Sequence, residues 1–142
     1  MIKNERQYRT TKTQAEKLAA ALAESRKRPT SSKQHPLIRK AEEEALRSQI
    51  ADLKSELRQY ESLRSGSRKA LARTSLEKLP QTLIQARIAT GMSQADLAER
   101  LGMKPQQIQR YEATNYSSAS LARVQTIARA LGLRLHAEAV VT

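Results

Sequence analysis

Residues 93–112, SQADLAERLGMKPQQIQRYE, decide how this chain folds. Leu97, Ala98 and Leu101 fall at helical spacing, which predicts a first short helix with one apolar face. Gly102 follows where a left-handed C-terminal residue is wanted, a conformation that glycine takes without steric cost. Met103 is the apolar residue inside the turn. Pro105 suits the start of a second helix, where its missing N–H has no helical partner to lose. Ile108 and Tyr111, three apart, give that helix an inner face. Gln106, Gln107, Gln109 and Arg110 are left on the outer side. Glutamine and arginine are the side chains that form paired hydrogen bonds to adenine and guanine edges in the major groove, so these four are candidate base contacts.

With its upstream flank the stretch reads LIQARIATGMSQADLAERLGMKPQQIQRYE, residues 83–112. It resembles the helix-turn-helix of lambdoid phage repressors and XRE-type bacterial regulators. The matching elements are Ser93-Gln94, Leu97-Ala98, Leu101-Gly102, Ile108 and Tyr111-Glu112, then Leu121, Ile127, Ala128, Leu131 and Gly132 downstream. The resemblance spans roughly residues 76–135, about one domain. It implies a cytoplasmic, nucleoid-associated regulator of bacterial or phage origin. Its partner would be double-stranded DNA with a palindromic operator, bound by a homodimer. By the same resemblance Gln94 grips a phosphate and braces the second helix. Thr114, Asn115 and Tyr116 fall where related proteins contact the phosphate chain. Arg87 and Glu112 fall where such proteins hold a partly buried ion pair. Two departures stand out. Lys104 replaces the usual Ser or Thr cap and cannot accept its hydrogen bond, which makes its ammonium a candidate phosphate clamp. The turn after Glu112 also lacks the glycine often found there.

Composition agrees with a polyanionic partner. The 142 residues carry a formal charge of +12. Residues 1–74 hold 18 Lys/Arg against 9 Asp/Glu, whereas residues 75–142 hold 8 against 5. The candidate reading domain is therefore the less basic half. There is no cysteine, hence no disulfide framework, thiolate metal site or cysteine nucleophile, as suits a reducing cytosol. No apolar run approaches a membrane span, and the start lacks a hydrophobic signal segment. His35 and His136 lie far apart and outside metal-ligand spacing, and no glycine-rich phosphate loop exists. We expect no catalytic residue, no metal site and no cofactor. Phe and Trp are absent, so cores must be built from Leu, Ile, Ala and Met.

The expected fold is mainly all-α. Residues 1–65 form a helical hairpin or coiled-coil region. Residues 66–74 are a basic linker, residues 75–132 the helix-turn-helix domain, and residues 133–142 a C-terminal strand. A first helix is expected over about Thr11–Ser25 from Leu18 and Leu22 and an alanine-rich body. Arg26–Lys40, RKRPTSSKQHPLIRK, is a loop at its start, with Pro29 and the two serines breaking the helix and His35 beside Pro36. It holds six basic residues and no acid, which makes it a second candidate phosphate contact. Pro36 opens a long helix to about Ser65. There Leu46, Ile50, Leu53, Leu57 and Tyr60 recur at coiled-coil spacing, and Glu43 pairs with Arg47. Two such helices fold back on each other, pair between chains, or both. They are a stalk, a dimerisation element or a docking surface for another protein. Ser75-Leu76-Glu77-Lys78 reads as a capped turn. Leu83, Ile84 and Ile88 form a buried face, and Ser93 is an N-cap. A last helix over residues 119–131 turns Leu121, Val124, Ile127, Ala128 and Leu131 inward.

Residues 133–141, LRLHAEAVV, alternate apolar and polar through most of their length, the period of a strand, with His136 on it. A lone strand needs a partner, and the same strand of a second copy is the expected one, with Leu133, Leu135, Ala137, Ala139 and Val141 at the contact. Such a tail resembles those of antitoxins. The reading is a sequence-specific, dimeric, non-enzymatic repressor, with antitoxin-like autoregulation as the specific context. The alternative is an interaction module whose N-terminal helices sequester a protein such as a toxin, with DNA binding secondary.

Overall fold

The computed structural model describes residues 1–28, 34–66 and 74–142. Pro29, Ser31 and Ser32 of the basic loop and residues 67–73 of the expected linker lie outside the described residues. Among the described residues the chain forms six α-helices and no strand, in two compact units, residues 1–60 and 61–142. The all-α expectation holds.

In the first unit, α1 runs Glu5–Lys27. It starts earlier than the apolar spacing indicates, because its first turns are held by polar groups. The Asn4 side chain accepts the Gln7 N–H at 2.9 Å, a helix cap. Its inner face continues the Leu18 and Leu22 spacing backward through Ala15, Thr11 and Tyr8, residues too small or too polar to register as an apolar stripe. The second helix, α2 (Pro36–Arg64), opens at its expected proline. His35 precedes it and acts as its cap: the carbonyl accepts the Ile38 N–H at 3.0 Å, and Nδ1 accepts the Leu37 N–H at 3.2 Å. The two helices are antiparallel. Arg39 at the start of α2 donates to the Ser25 and Arg28 carbonyls at the end of α1, at 2.9 and 3.1 Å. At the other end Tyr8 stacks on Tyr60, with ring centroids 5.2 Å apart. The hairpin thus folds back on itself through the expected seam. Ile50 and Tyr60 are buried, and Leu46, Leu53 and Leu57 are half-buried. The Glu43–Arg47 pair forms at 3.9 Å, and Glu43 also meets Arg39.

In the second unit, a 3₁₀ turn at Leu76–Lys78 leads into α3 (Leu79–Ala89), followed by α4 (Gln94–Arg100), α5 (Pro105–Ala113) and α6 (Leu121–Ala130). Ser75 precedes the turn without a side-chain cap bond; only its carbonyl takes part, accepting the Lys78 N–H at 3.0 Å. Ser93 does cap α4: its hydroxyl accepts the Asp96 N–H at 3.1 Å, and the Asp96 carboxylate accepts the Ser93 N–H at 2.8 Å. The core is small and aliphatic. Leu83 and Ile84 of α3, Leu97 of α4, Ile108 of α5 and Ile127 of α6 are each fully buried, so every helix of this unit contributes to one centre.

The helices of this unit end alike. Gly102, at φ 63, lets the chain turn back so that the Met103 N–H reaches the Ala98 carbonyl at 2.8 Å. Gly91 and Gly132 close α3 and α6 in the same way. α5 does so without glycine. Asn115 takes the left-handed position at φ 48, its N–H bonds to the Glu112 carbonyl, and the Tyr116 N–H bonds to the Tyr111 carbonyl at 2.7 Å. Asparagine is the usual substitute there, which resolves the missing glycine.

One expectation fails, and another is not seen in the single chain. Leu121 is 65% exposed. It is the first residue of α6, at the edge of the apolar stripe, and the buried face begins with half-buried Val124 and continues through Ile127, Ala128 and Leu131. The C-terminal strand is absent from the single chain. Leu133 is engaged in closing α6, through its N–H to the Ala128 carbonyl at 2.9 Å, and residues 134–142 form no regular element. An isolated strand has no ladder to join.

This packing predicts a contrast at two aliphatic positions of one helix. Ile127→Ala should cost about 2–5 kcal/mol, because it opens a cavity at the centre of four helices. Leu121→Ala should stay within about 0.5 kcal/mol. Urea unfolding followed by far-UV circular dichroism measures both.

Candidate nucleic-acid interface

Helix α5 is fixed from beneath by one carboxylate. Glu112 is fully buried, and Arg87 of α3 is 2% exposed. The guanidinium meets the carboxylate with two parallel bonds, Nε to Oε1 and Nη2 to Oε2, the latter at 2.8 Å. Arg87 Nη1 donates to the Met92 carbonyl at 2.8 Å, and Gln94 Nε2 of α4 donates to Glu112 Oε2 at 2.7 Å. The end of α3, the start of α4 and the last turn of α5 therefore converge on one charge. A buried pair is retained only when its remaining hydrogen-bonding capacity is satisfied, as the Met92 carbonyl and Gln94 amide do here. The ion pair read from the resemblance is present, and the bracing half of the Gln94 role is visible as a direct bond. At the exposed start of α4, hydrogen bonds from the Ser93 hydroxyl and backbone hold the Asp96 carboxyl below its ordinary value of 3.8, with Arg87 adding to that and slight desolvation opposing it.

With Ile108 and Glu112 buried, the outer face of α5 is set. Gln106, Gln107, Gln109 and Arg110 are all exposed. Helical spacing puts Gln106 and Arg110 at its centre, four apart, with Gln107 and Gln109 on opposite flanks. Gln106, Gln107, Arg110, Tyr111 and Ser118 line a shallow open groove along one flank. Gln109 is not part of it. Lys104 makes no side-chain cap bond, as expected for an ammonium. Gln107 supplies part of the cap instead, its Oε1 accepting the Lys104 N–H at 3.0 Å. That bond uses the Gln107 amide oxygen and not its NH₂.

The segment after α5 departs from expectation at one residue. Thr114 and Asn115 are exposed, though the Thr114 hydroxyl turns back onto the Arg110 carbonyl at 2.9 Å. Tyr116, expected at the phosphate chain, is 4% exposed, and its hydroxyl is enclosed without a hydrogen-bond partner among the described residues. Its ring stacks on Tyr111 with centroids 5.9 Å apart. Burial pushes the phenol far above its ordinary value of 10; the Glu112 charge adds to this and Arg87 opposes it. The backbone is left-handed here too, at φ 58. Such a conformation costs a non-glycine residue about 1–2 kcal/mol. Burying a large side chain returns about 1.5–3 kcal/mol, the same order as the strain. Ser118 is the groove residue that sequence reasoning missed. Only the course of this turn brings it beside α5, and no periodicity encodes that.

Residues 83–136 match the helix-turn-helix family. Helices α4 and α5 are the two helices of that motif, and α5 carries the outward polar face. The family is one of DNA-binding regulators, so this helix-turn-helix domain is a DNA-binding domain. No curated protein and no solved structure matches the chain. No helix among the described residues is long and apolar enough to cross a membrane.

The buried pair gives this domain a characteristic mutational signature. Arg87→Met or Glu112→Leu alone should cost about 3–5 kcal/mol, since each strands a buried charge. The double variant should recover most of that loss. Thermal unfolding of the four proteins of the cycle reports the coupling.

Proposed function

We propose that the chain is a sequence-specific transcriptional regulator, a dimeric repressor that acts on a palindromic operator. The observation that carries this reading is the exposed row Gln106, Gln107, Gln109 and Arg110 on a helix anchored from below by Glu112. Arg110 suits a guanine edge, and the glutamines suit adenines. Lys104 is the phosphate clamp at the start of the helix. A cation there opposes the helix dipole by about 0.3–1 kcal/mol, whereas a bound phosphate would be favoured by both. Gln94, Thr114 and Asn115 are further phosphate contacts, with Gln94 limited by its bond to Glu112. The surplus of basic residues in residues 1–74 adds sequence-independent attraction, with Arg26, Lys27 and Arg28 exposed at the end of α1. Autoregulation of the antitoxin kind is the specific context this reading favours.

The test begins with a duplex selected by the chain from a randomised pool. Arg110→Ala should weaken binding to that duplex by about 1–3 kcal/mol and relax preference at a guanine. Lys104→Ala should weaken selected and random duplexes alike and lower the salt slope by about one. Equal losses on both duplexes for Arg110→Ala would remove it from base reading.

The dimer is tested separately. One reading helix spans only a few base pairs, and two-fold pairing sets two of them about 34 Å apart, one turn of the duplex. The exposed tail, with Leu135, Ala137, Ala139 and Val141, is the pairing strand in this proposal, and the α1–α2 hairpin is the competing contact. Truncation after Leu133 keeps the bond that closes α6. It should lower self-association at micromolar concentration in sedimentation and spare binding to a half-site. A truncated chain that stays dimeric would move the interface to the hairpin.

A further inference from the structure

The segment after α5 holds three observations that the base-reading row does not use. Asn115 and Tyr116 are consecutive non-glycine residues at positive φ. The Tyr116 ring is buried against Tyr111, and its hydroxyl bonds to nothing among the described residues. Two residues on, Ser118 lines a groove together with Gln106, Gln107, Arg110 and Tyr111. A chain turns through two left-handed residues only when something holds it there. Here the buried Tyr116 ring is one holding group, and its hydroxyl bonds to nothing among the described residues. Its backbone takes part at both ends: the N–H bonds to the Tyr111 carbonyl, and the carbonyl accepts the Ala119 N–H at 3.0 Å. Ser118 lies inside that last loop, so its place beside α5 follows from where Tyr116 is anchored.

We propose that Tyr116 is the positioning residue of the DNA interface and that Ser118 is a contact residue it sets in place. This rests on the reading of α5 as the helix that enters the major groove. When a helix enters a major groove, the flanking sugar–phosphate strand runs along its side. The groove between α5 and Ser118 lies on such a flank. Its Ser118 hydroxyl is exposed and donates to a phosphate oxygen of that strand. The contact is neutral, so it carries no base preference and releases no counterion, which separates it from Lys104.

The experiment measures affinity for the selected duplex and for a random duplex at several salt concentrations. Ser118→Ala should weaken both by about ten-fold, the size of a hydrogen bond to a charged acceptor, with an unchanged salt slope. Tyr116→Phe should bind as the parent does, because only the unpartnered hydroxyl is lost. Tyr116→Ala should lose affinity on both duplexes, and adding Ser118→Ala to it should cost nothing more, since the serine is already displaced. Where Tyr116→Ala does not fold by circular dichroism, Tyr116→Leu, which keeps apolar volume without the flat ring, takes its place. Full parental binding by Ser118→Ala overturns the contact. Additive losses in the double variant overturn the positioning role. A parent chain without any preference between the two duplexes would instead defeat the reading of α5 on which the proposal stands.

Discussion

The second unit depends on a charge placed where charge is expensive. The Glu112 carboxylate lies fully buried at the last turn of α5, where Arg87 meets both its oxygens and Gln94 donates a third bond. Such a pair adds little net stability compared with well-packed apolar groups, but it tolerates few alternative arrangements. It ties the end of α5 to α3 and α4 at a single register. The same end carries the Asn115 closure and the Tyr111–Tyr116 stack. The first turn has less to hold it, with Pro105 and the Gln107 side chain standing in for a cap. The helix is therefore pinned at its buried end, and its opening turn, with Lys104, Gln106 and Gln107, is presented to the outside.

Charge and reading are divided along the chain. The surplus of basic residues is 9 over residues 1–74 and 3 over residues 75–142. Within the hairpin the seam is closed by contacts that use few cations, Arg39 being the main one, so most Lys and Arg side chains of α1 remain exposed. Nonspecific attraction to a polyanion needs only such a distribution. Discrimination between sequences needs a fixed polar face, and α5 offers one above its buried Ile108 and Glu112.

What could be read from the sequence follows the physics of each signal. Gly102, Pro105, Ser93 and the aliphatic spacing of Leu97, Ile108 and Ile127 are local and strong, and they gave the helix order and the core of the second unit. The outward placement of Gln106, Gln107, Gln109 and Arg110 followed from the same spacing. The early start of α1 was hidden because Asn4, Tyr8 and Thr11 hold it by capping, stacking and close fit rather than by an apolar stripe. Tyr116 stands where related proteins contact the phosphate chain, but the left-handed backbone at Asn115 and Tyr116 turns the ring inward. Ser118 had no local signal at all. The alternating tail from Leu133 carries the period of a strand, but a strand is a relation between segments, and one chain supplies only one of them.

The central claim is that the outer face of α5 reads base edges in the major groove. Methylation interference on a duplex selected by the full chain addresses it most directly. Methylation of guanine at N7 projects into the major groove, and methylation of adenine at N3 projects into the minor groove. Binding should be blocked by N7 methylation at one or more guanines within the selected site, and tolerated at N3 of the adenines of that site. Interference confined to adenine N3, with every guanine N7 tolerated, would contradict entry of α5 into the major groove.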